Sequence, residues 1–162
     1  MTLASQTIEQ LKSLGPLHGR RETLRVEQEG VRVECDLVAA DSLSCSFSEL
    51  RLEVPGHVDD EADALNHWAD ALSRRVTYLL EGLERLETDV ESGTVMLRSS
   101  PPEKTAEHTH YYELLLQRGG HLRLRRYRTG PEGGRRAEVA CTCTHEQVAK
   151  LVDDLVRSAR EA

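Results

Sequence analysis

The chain has 162 residues, 38% hydrophobic and 30% charged, which fits one globular domain able to bury a core without disulfides or metals. No apolar run approaches the ~20 residues of a membrane helix, and residues 1–6 lack the basic and apolar stretches of a secretory signal, so the expectation is a cytoplasmic protein. The net charge of −7 hides a local reversal: residues 118–136 hold seven arginines and one acid, +6, which leaves −13 for the remainder.

In chain order, Ser5 can cap a helix over residues 5–14 with Ile8, Leu11 and Leu14 on one face, stopped by Gly15 and Pro16. Leu24 and Val26 then alternate with polar residues, Glu29 and Gly30 mark a turn, and Val31, Val33, Cys35 and Leu37 resume the period of two, so the spacing predicts a hairpin. The next run changes phase: Leu43, Cys45 and Phe47 share one parity, whereas Leu50, Leu52 and Val54 share the other. A bulge near Ser48 and Glu49 reconciles them.

Acids crowd residues 59–63, where a helix start favours them, and Leu65, Trp68, Ala69, Leu72, Val76, Leu79 and Leu80 recur at helical spacing to an end near Gly82. Leu86, Thr88 and Val90 alternate, Ser92 and Gly93 turn, and Val95 and Leu97 follow. A polar loop containing Pro101 and Pro102 leads to two strands, 108–117 and 121–128, flanking Gly119 and Gly120. After a loop over 130–134, Ala137, Val139, Cys141 and Cys143 form one face of a last strand. Thr144 caps a final helix with Val148, Leu151, Val152, Leu155 and Val156 inward.

The order α-βββ-α-ββ-βββ-α predicts a single α+β domain, an antiparallel sheet of hairpins and meander with helices packed on one face. The stretches 23–82 and 108–160 both read βββα, a pattern that an internal duplication would leave. The expected core contains Val26, Val33, Cys35, Phe47, Leu65, Trp68, Leu72, Val76, Val139, Cys141, Val152 and Leu155.

Four clusters carry chemically useful side chains. His108, His110, Cys141, Cys143 and His145 are zinc-ligand types, but Cys-x-Cys is not the usual knuckle spacing and parity puts both cysteines with Val139 in the core; no metal or cofactor is expected. Cys45 could serve as a nucleophile only if exposed, and its parity with Phe47 points it inward; missing a signal, all four cysteines are expected reduced. No phosphate loop or hydrolase motif occurs, so no catalytic residue is assigned. The acidic run at 59–63 lacks EF-hand spacing.

The fourth cluster is the arginine hairpin. His121, Arg123, Arg125 and Tyr127 share one face, Leu122 and Leu124 the other, joined by Arg126 and Arg128, while Arg135 and Arg136 lie across the next loop. Arg and Tyr on an open sheet face could grip phosphate or stack on bases, with His121, Arg123, Arg125, Tyr127 and Arg136 as binding residues. Tyr111 and Tyr112 fall on opposite faces and build no shared platform, and the chain is acidic, so nucleic acid is not the favoured partner and a solvated, ion-paired face is.

The order of elements resembles that of the small acidic α/β secretion chaperones of bacterial type III systems: a terminal helix, three strands, a long helix, further strands and a final helix. This chain departs by carrying about three extra strands before the last helix. The resemblance implies protein binding. The favoured function is a non-catalytic protein-binding module, chaperone- or adaptor-like, with another protein or a second copy as partner; the alternatives are an RNA- or phosphate-binding protein using residues 118–136 and an enzyme without a recognisable motif.

Overall fold

The computed structural model describes every residue except Met1, His18, His57, Asp60, Leu80, Glu81, Pro101, Pro131 and Glu132, and only the backbone of Ala62 and Gly133. The expected inward position of Leu80, the acid Asp60 and the loop residues Pro101, Pro131 and Glu132 therefore lie outside the described residues. The elements are α1 (Leu3–Leu14), β1 (Glu22–Gln28), β2 (Val31–Ala40), β3 (Ser44–Glu53), α2 (Ala62–Arg75), β4 (Gly82–Asp89), β5 (Thr94–Ser100), β6 (Glu103–Lys104), β7 (Thr109–Gln117), β8 (His121–Gly130), β9 (Gly133–Val139), β10 (Cys141–Thr144) and α3 (His145–Arg160).

This is the α+β arrangement the sequence predicts, with one antiparallel sheet in the order β1-β2-β3-β8-β7-β5-β4. Two-residue β6 lies on β7, and the expected last strand is divided at Ala140 into β9, paired with β8, and β10, paired with β3. Helices α2 and α3 pack on one face against β3, β4, β5 and β10, and α1 packs on α3 and β1. The other face is open.

Local chemistry explains most boundaries. Thr2, not Ser5, caps α1; Ser5 is the third helical residue and returns the bond to Thr2, so the helix starts earlier than expected. Its buried residues are Leu3, Thr7 and Leu11, while Ile8 and Leu14 are half-buried. Glu29 and Gly30 both have positive φ (52° and 80°), which matches the twist of the two-residue β1–β2 hairpin. The capping box of Thr144 and Gln147 starts α3 as predicted.

Three expectations are corrected. Helix α2 ends at Arg75, well short of Gly82; Val76 and Leu79 remain buried, but in an extended exit segment, so helical spacing overran the helix. Leu43 is 76% exposed in the turn before β3 rather than inward with Cys45. In β4 the apolar face is not Leu86 and Val90, which are exposed, but Leu83; the β4–β5 register slips at Leu86, and one residue of slip changes which side faces inward. The predicted bulge in β3 is real: Asp36 opposes Glu49 and Leu37 opposes Phe47, leaving Ser48 without a partner position on β2.

The core centres on Phe47 and Trp68, both fully buried. The Trp68 indole donates to Ser158 Oγ at 3.0 Å, and that hydroxyl donates to the Leu155 carbonyl at 2.7 Å, so the one polar atom of the ring is satisfied across α2 and α3. Of the expected core residues only Val139 falls short, half-buried at a rim described below, and Ala137 on the same strand is exposed.

Candidate functional site

The arginine hairpin occupies β8 and β9, and the pleat sends its residues to two different environments. His121, Arg123, Arg125 and Tyr127 lie on the open face, and Arg136 joins them from β9. Acids meet them there: Arg125 reaches Glu49 at 3.0 Å and Glu138 at 2.9 Å, Arg123 lies 4.0 Å from Glu49, and His121 lies 3.8 Å from Glu53. Arg136 bonds Glu113 at 2.7 Å and covers the Tyr127 ring at 3.9 Å. Glu113, nearly buried, also takes Arg98 at 3.2 Å, and Arg98 covers Tyr111 at 4.4 Å. Arg51 continues the lattice to Asp36 at 2.7 Å and Glu34 at 3.1 Å. The hydrogen bonds from Arg51 hold the Asp36 carboxyl below its ordinary range; for Glu34 burial pushes the other way and the arginines prevail.

Tyr111 and Tyr127 sit opposite one another with ring centroids 5.8 Å apart, an aromatic pair the sequence reading missed. Counting outward from the Gly119 and Gly120 turn would have found it, because that hairpin fixes the register. The pair is not a free platform: both tyrosines are buried under the two arginines that cover them.

The second environment is a fork. β3 and β8 pair only over Leu50–Glu53 and His121–Leu124. Beyond that point, next to the Ser48 bulge, they separate; a bulge bends its strand, and here the bend opens the sheet. β9 comes in along β8, with Ala137 opposite Arg128 and Val139 opposite Arg126. The chain turns at the exposed Ala140, and β10 runs out along β3, with Cys141 opposite Phe47 and Cys143 opposite Cys45. Among the described residues β9 and β10 form no ladder with each other, so their inner edges face across a V-shaped notch.

On the helix side of the notch lies a cavity of about 430 Å³, walled by Tyr78 and Leu79 after α2, Gln147 and Leu151 of α3, and the ends of β7 to β10. Two cross-strand rows form its sheet wall and rim, Tyr112–Arg126–Val139 and His110–Arg128–Ala137. Arg126 covers Tyr112 at 4.7 Å and bonds Glu103 of β6 at 2.8 Å. Burial and the neighbouring Arg126 lower the pKa of His110. Arg128 and Arg135 are exposed and make no ion pair among the described residues. The Tyr78 hydroxyl donates to Asp154, which also takes Lys150, at 2.6 and 2.9 Å.

All four cysteines are buried free thiols on the core side. Burial pushes Cys45 and Cys141 up to about 12, so neither supplies a thiolate near neutrality. His110 and Cys143 both reach the cavity, yet among the described residues no three of His, Cys, Asp and Glu converge as a metal-binding group. Among the described residues, no helix is long and apolar enough to cross a membrane.

No family model matches the chain, and no curated protein or solved structure matches it. The site is therefore read from its own geometry. Sequence could place Arg126 on the helix side, but not the fork, which depends on which strand β10 chooses.

Proposed function

We propose that the chain is a non-catalytic protein-binding module that takes an extended segment of a partner into the fork between β9 and β10. One observation carries this: two strand edges that form no ladder with another strand among the described residues face each other beside a cavity lined by Tyr78, Leu79, Tyr112, Val139 and Leu151 together with polar groups. A strand added to such an edge gains main-chain hydrogen bonds, and alternate side chains drop to one side, where the cavity offers room for one or two of them. The arginines of the open face already hold acids, which leaves them little to offer a polyanion.

The test is the solution mass of the chain purified from its own cells, together with that of two variants. Val139→Trp puts a large ring at the cavity mouth. Leu86→Lys alters β4, the exposed edge at the far side of the sheet. A second protein that accompanies the wild type and Leu86→Lys, and is lost from Val139→Trp at unchanged melting temperature, is the expected result. A partner retained by Val139→Trp and lost from Leu86→Lys would move the site to β4.

A further inference from the structure

We infer that the segment received at the fork is acidic, an extended peptide with an aliphatic side chain for the cavity and carboxylates at alternate positions beside it. This rests on the fork reading above and adds the chemistry of the occupant.

The support is the distribution of charge. Along the helix side of β8, Arg126 and Arg128 stand in successive rows opposite Val139 and Ala137, and the exposed Arg135 follows on β9 where the β8–β9 register slips. One carboxylate answers them among the described residues, that of Glu103, and it is half-exposed on a two-residue strand. The charge elsewhere in the chain is −13, so this end of the sheet is where a negatively charged segment meets attraction.

Strand geometry then fixes the spacing. Residues two apart on a bound strand point to the same side. A strand lying along β9 that directs an aliphatic side chain into the cavity beside Val139 directs the residue two positions away toward the row of Ala137 and Arg128, and the one two further on toward the end of β9 that carries Arg135. An acid there faces a guanidinium that has no ion-pair partner among the described residues. Arg126 already shows what such a contact looks like, since Glu103 holds it; an incoming carboxylate competes with Glu103 for the same guanidinium. A nucleic acid could use the arginines but has no main-chain amides for the strand edges and no aliphatic group for the cavity.

The experiment uses the full chain and labelled, capped heptapeptides read by fluorescence anisotropy in moderate salt. One peptide carries a leucine with glutamates two and four residues away and serines at the other positions, the second replaces glutamate by glutamine, the third by lysine. The glutamate peptide is expected to bind about tenfold or more tighter than the glutamine peptide, a margin of about 1.4 kcal/mol, with the lysine peptide weaker still. Arg128→Gln with Arg135→Gln, two exposed positions, should erase that margin. Glu103→Gln should strengthen binding of the glutamate peptide by a few-fold, an increase that a merely structural Glu103 would not produce. Val139→Trp should abolish binding of all three.

Equal binding of the glutamate and glutamine peptides, still lost in Val139→Trp, would overturn the acidic occupant while the fork reading stands. Failure of every peptide to bind up to millimolar concentration would remove both. A thymidine oligonucleotide that binds the wild type more tightly than the glutamate peptide and is lost with Arg128→Gln and Arg135→Gln would assign the arginines to nucleic acid instead.

Discussion

On the open face of β8, Arg125 is held between Glu49 and Glu138 within 3.0 Å of each. One residue later, on the helix side, Arg126 meets only Glu103, and two residues beyond it Arg128 meets no acid among the described residues. The difference follows from the strands alongside. The open face of β8 lies beside β3 and β7, whose outward residues there include Glu49, Glu53 and Glu113; the helix-side end of β8 lies between His110 and Tyr112 of β7 and Ala137 and Val139 of β9. A cluster of arginines in a sequence thus has no single meaning: Arg123, Arg125, Arg126 and Arg136 meet acids, whereas Arg128 and Arg135 meet none among the described residues.

The largest test of this contrast concerns what both environments share. Replacing Trp68 by Ala should cost about 3–5 kcal/mol in urea unfolding, the usual range for a large buried ring, because it removes the contact that joins α2 to α3 over the core side of the sheet. A loss below about 1 kcal/mol would mean that the α2–α3 contact is not what holds the layers together.

A smaller effect should be confined to the open face. Arg51→Met removes the partner of Asp36 and Glu34, at a cost of about 0.5–1 kcal/mol at pH 7, since all three groups are partly solvated. Because Arg51 holds both carboxyls low in the folded chain, its contribution is present above the ordinary carboxylate range and is lost as pH falls through the lowered folded values. Urea unfolding at pH 7 and at pH 2–3 should therefore show the variant's deficit shrinking in acid. A deficit constant with pH would mean that Arg51 acts through packing.

The smallest expected effect is the sharpest discriminator. Arg123→Ser with Arg125→Ser should change stability by no more than about 0.5 kcal/mol and leave partner binding intact, since exposed ion pairs contribute little. Binding of duplex or single-stranded nucleic acid at physiological salt, with log affinity falling steeply against log salt and abolished by this pair, would restore the nucleic-acid reading of the open face.

Much of the fold was legible because it is local. Period-two alternation placed Cys35, Cys45, Cys141 and Cys143 inward, a phase change located the bulge at Ser48, and Thr144 announced α3. What was illegible depends on distant partners. Cys45 and Cys143 are paired across the ladder from opposite ends of the chain, and nothing near either residue announces that β10 leaves β9 to join β3. Leu86 illustrates the same limit on a smaller scale: its alternation with Val90 was regular, but a slip against β5 decided which side it faces. The arginines stood out in the sequence, and the expected binding residues His121, Arg123, Arg125, Tyr127 and Arg136 lie together on the open face, where the arginines meet acids.

The V shape of the fork has a consequence for self-association. A straight unpaired edge at the rim of a sheet can be extended by copy after copy, which is the route to fibres. Edges that converge on Ala140 run out of length: β10 offers four residues and β9 seven before the arms meet. A strand that enters can pair over only a short stretch and leaves no comparable slot for the next molecule. The edge at β4 is instead interrupted by the slip at Leu86 and studded with Glu84, Arg85, Glu87 and Asp89, charges that discourage stacking. If a guest strand does enter the fork, the short converging arms give its copies no growing edge there.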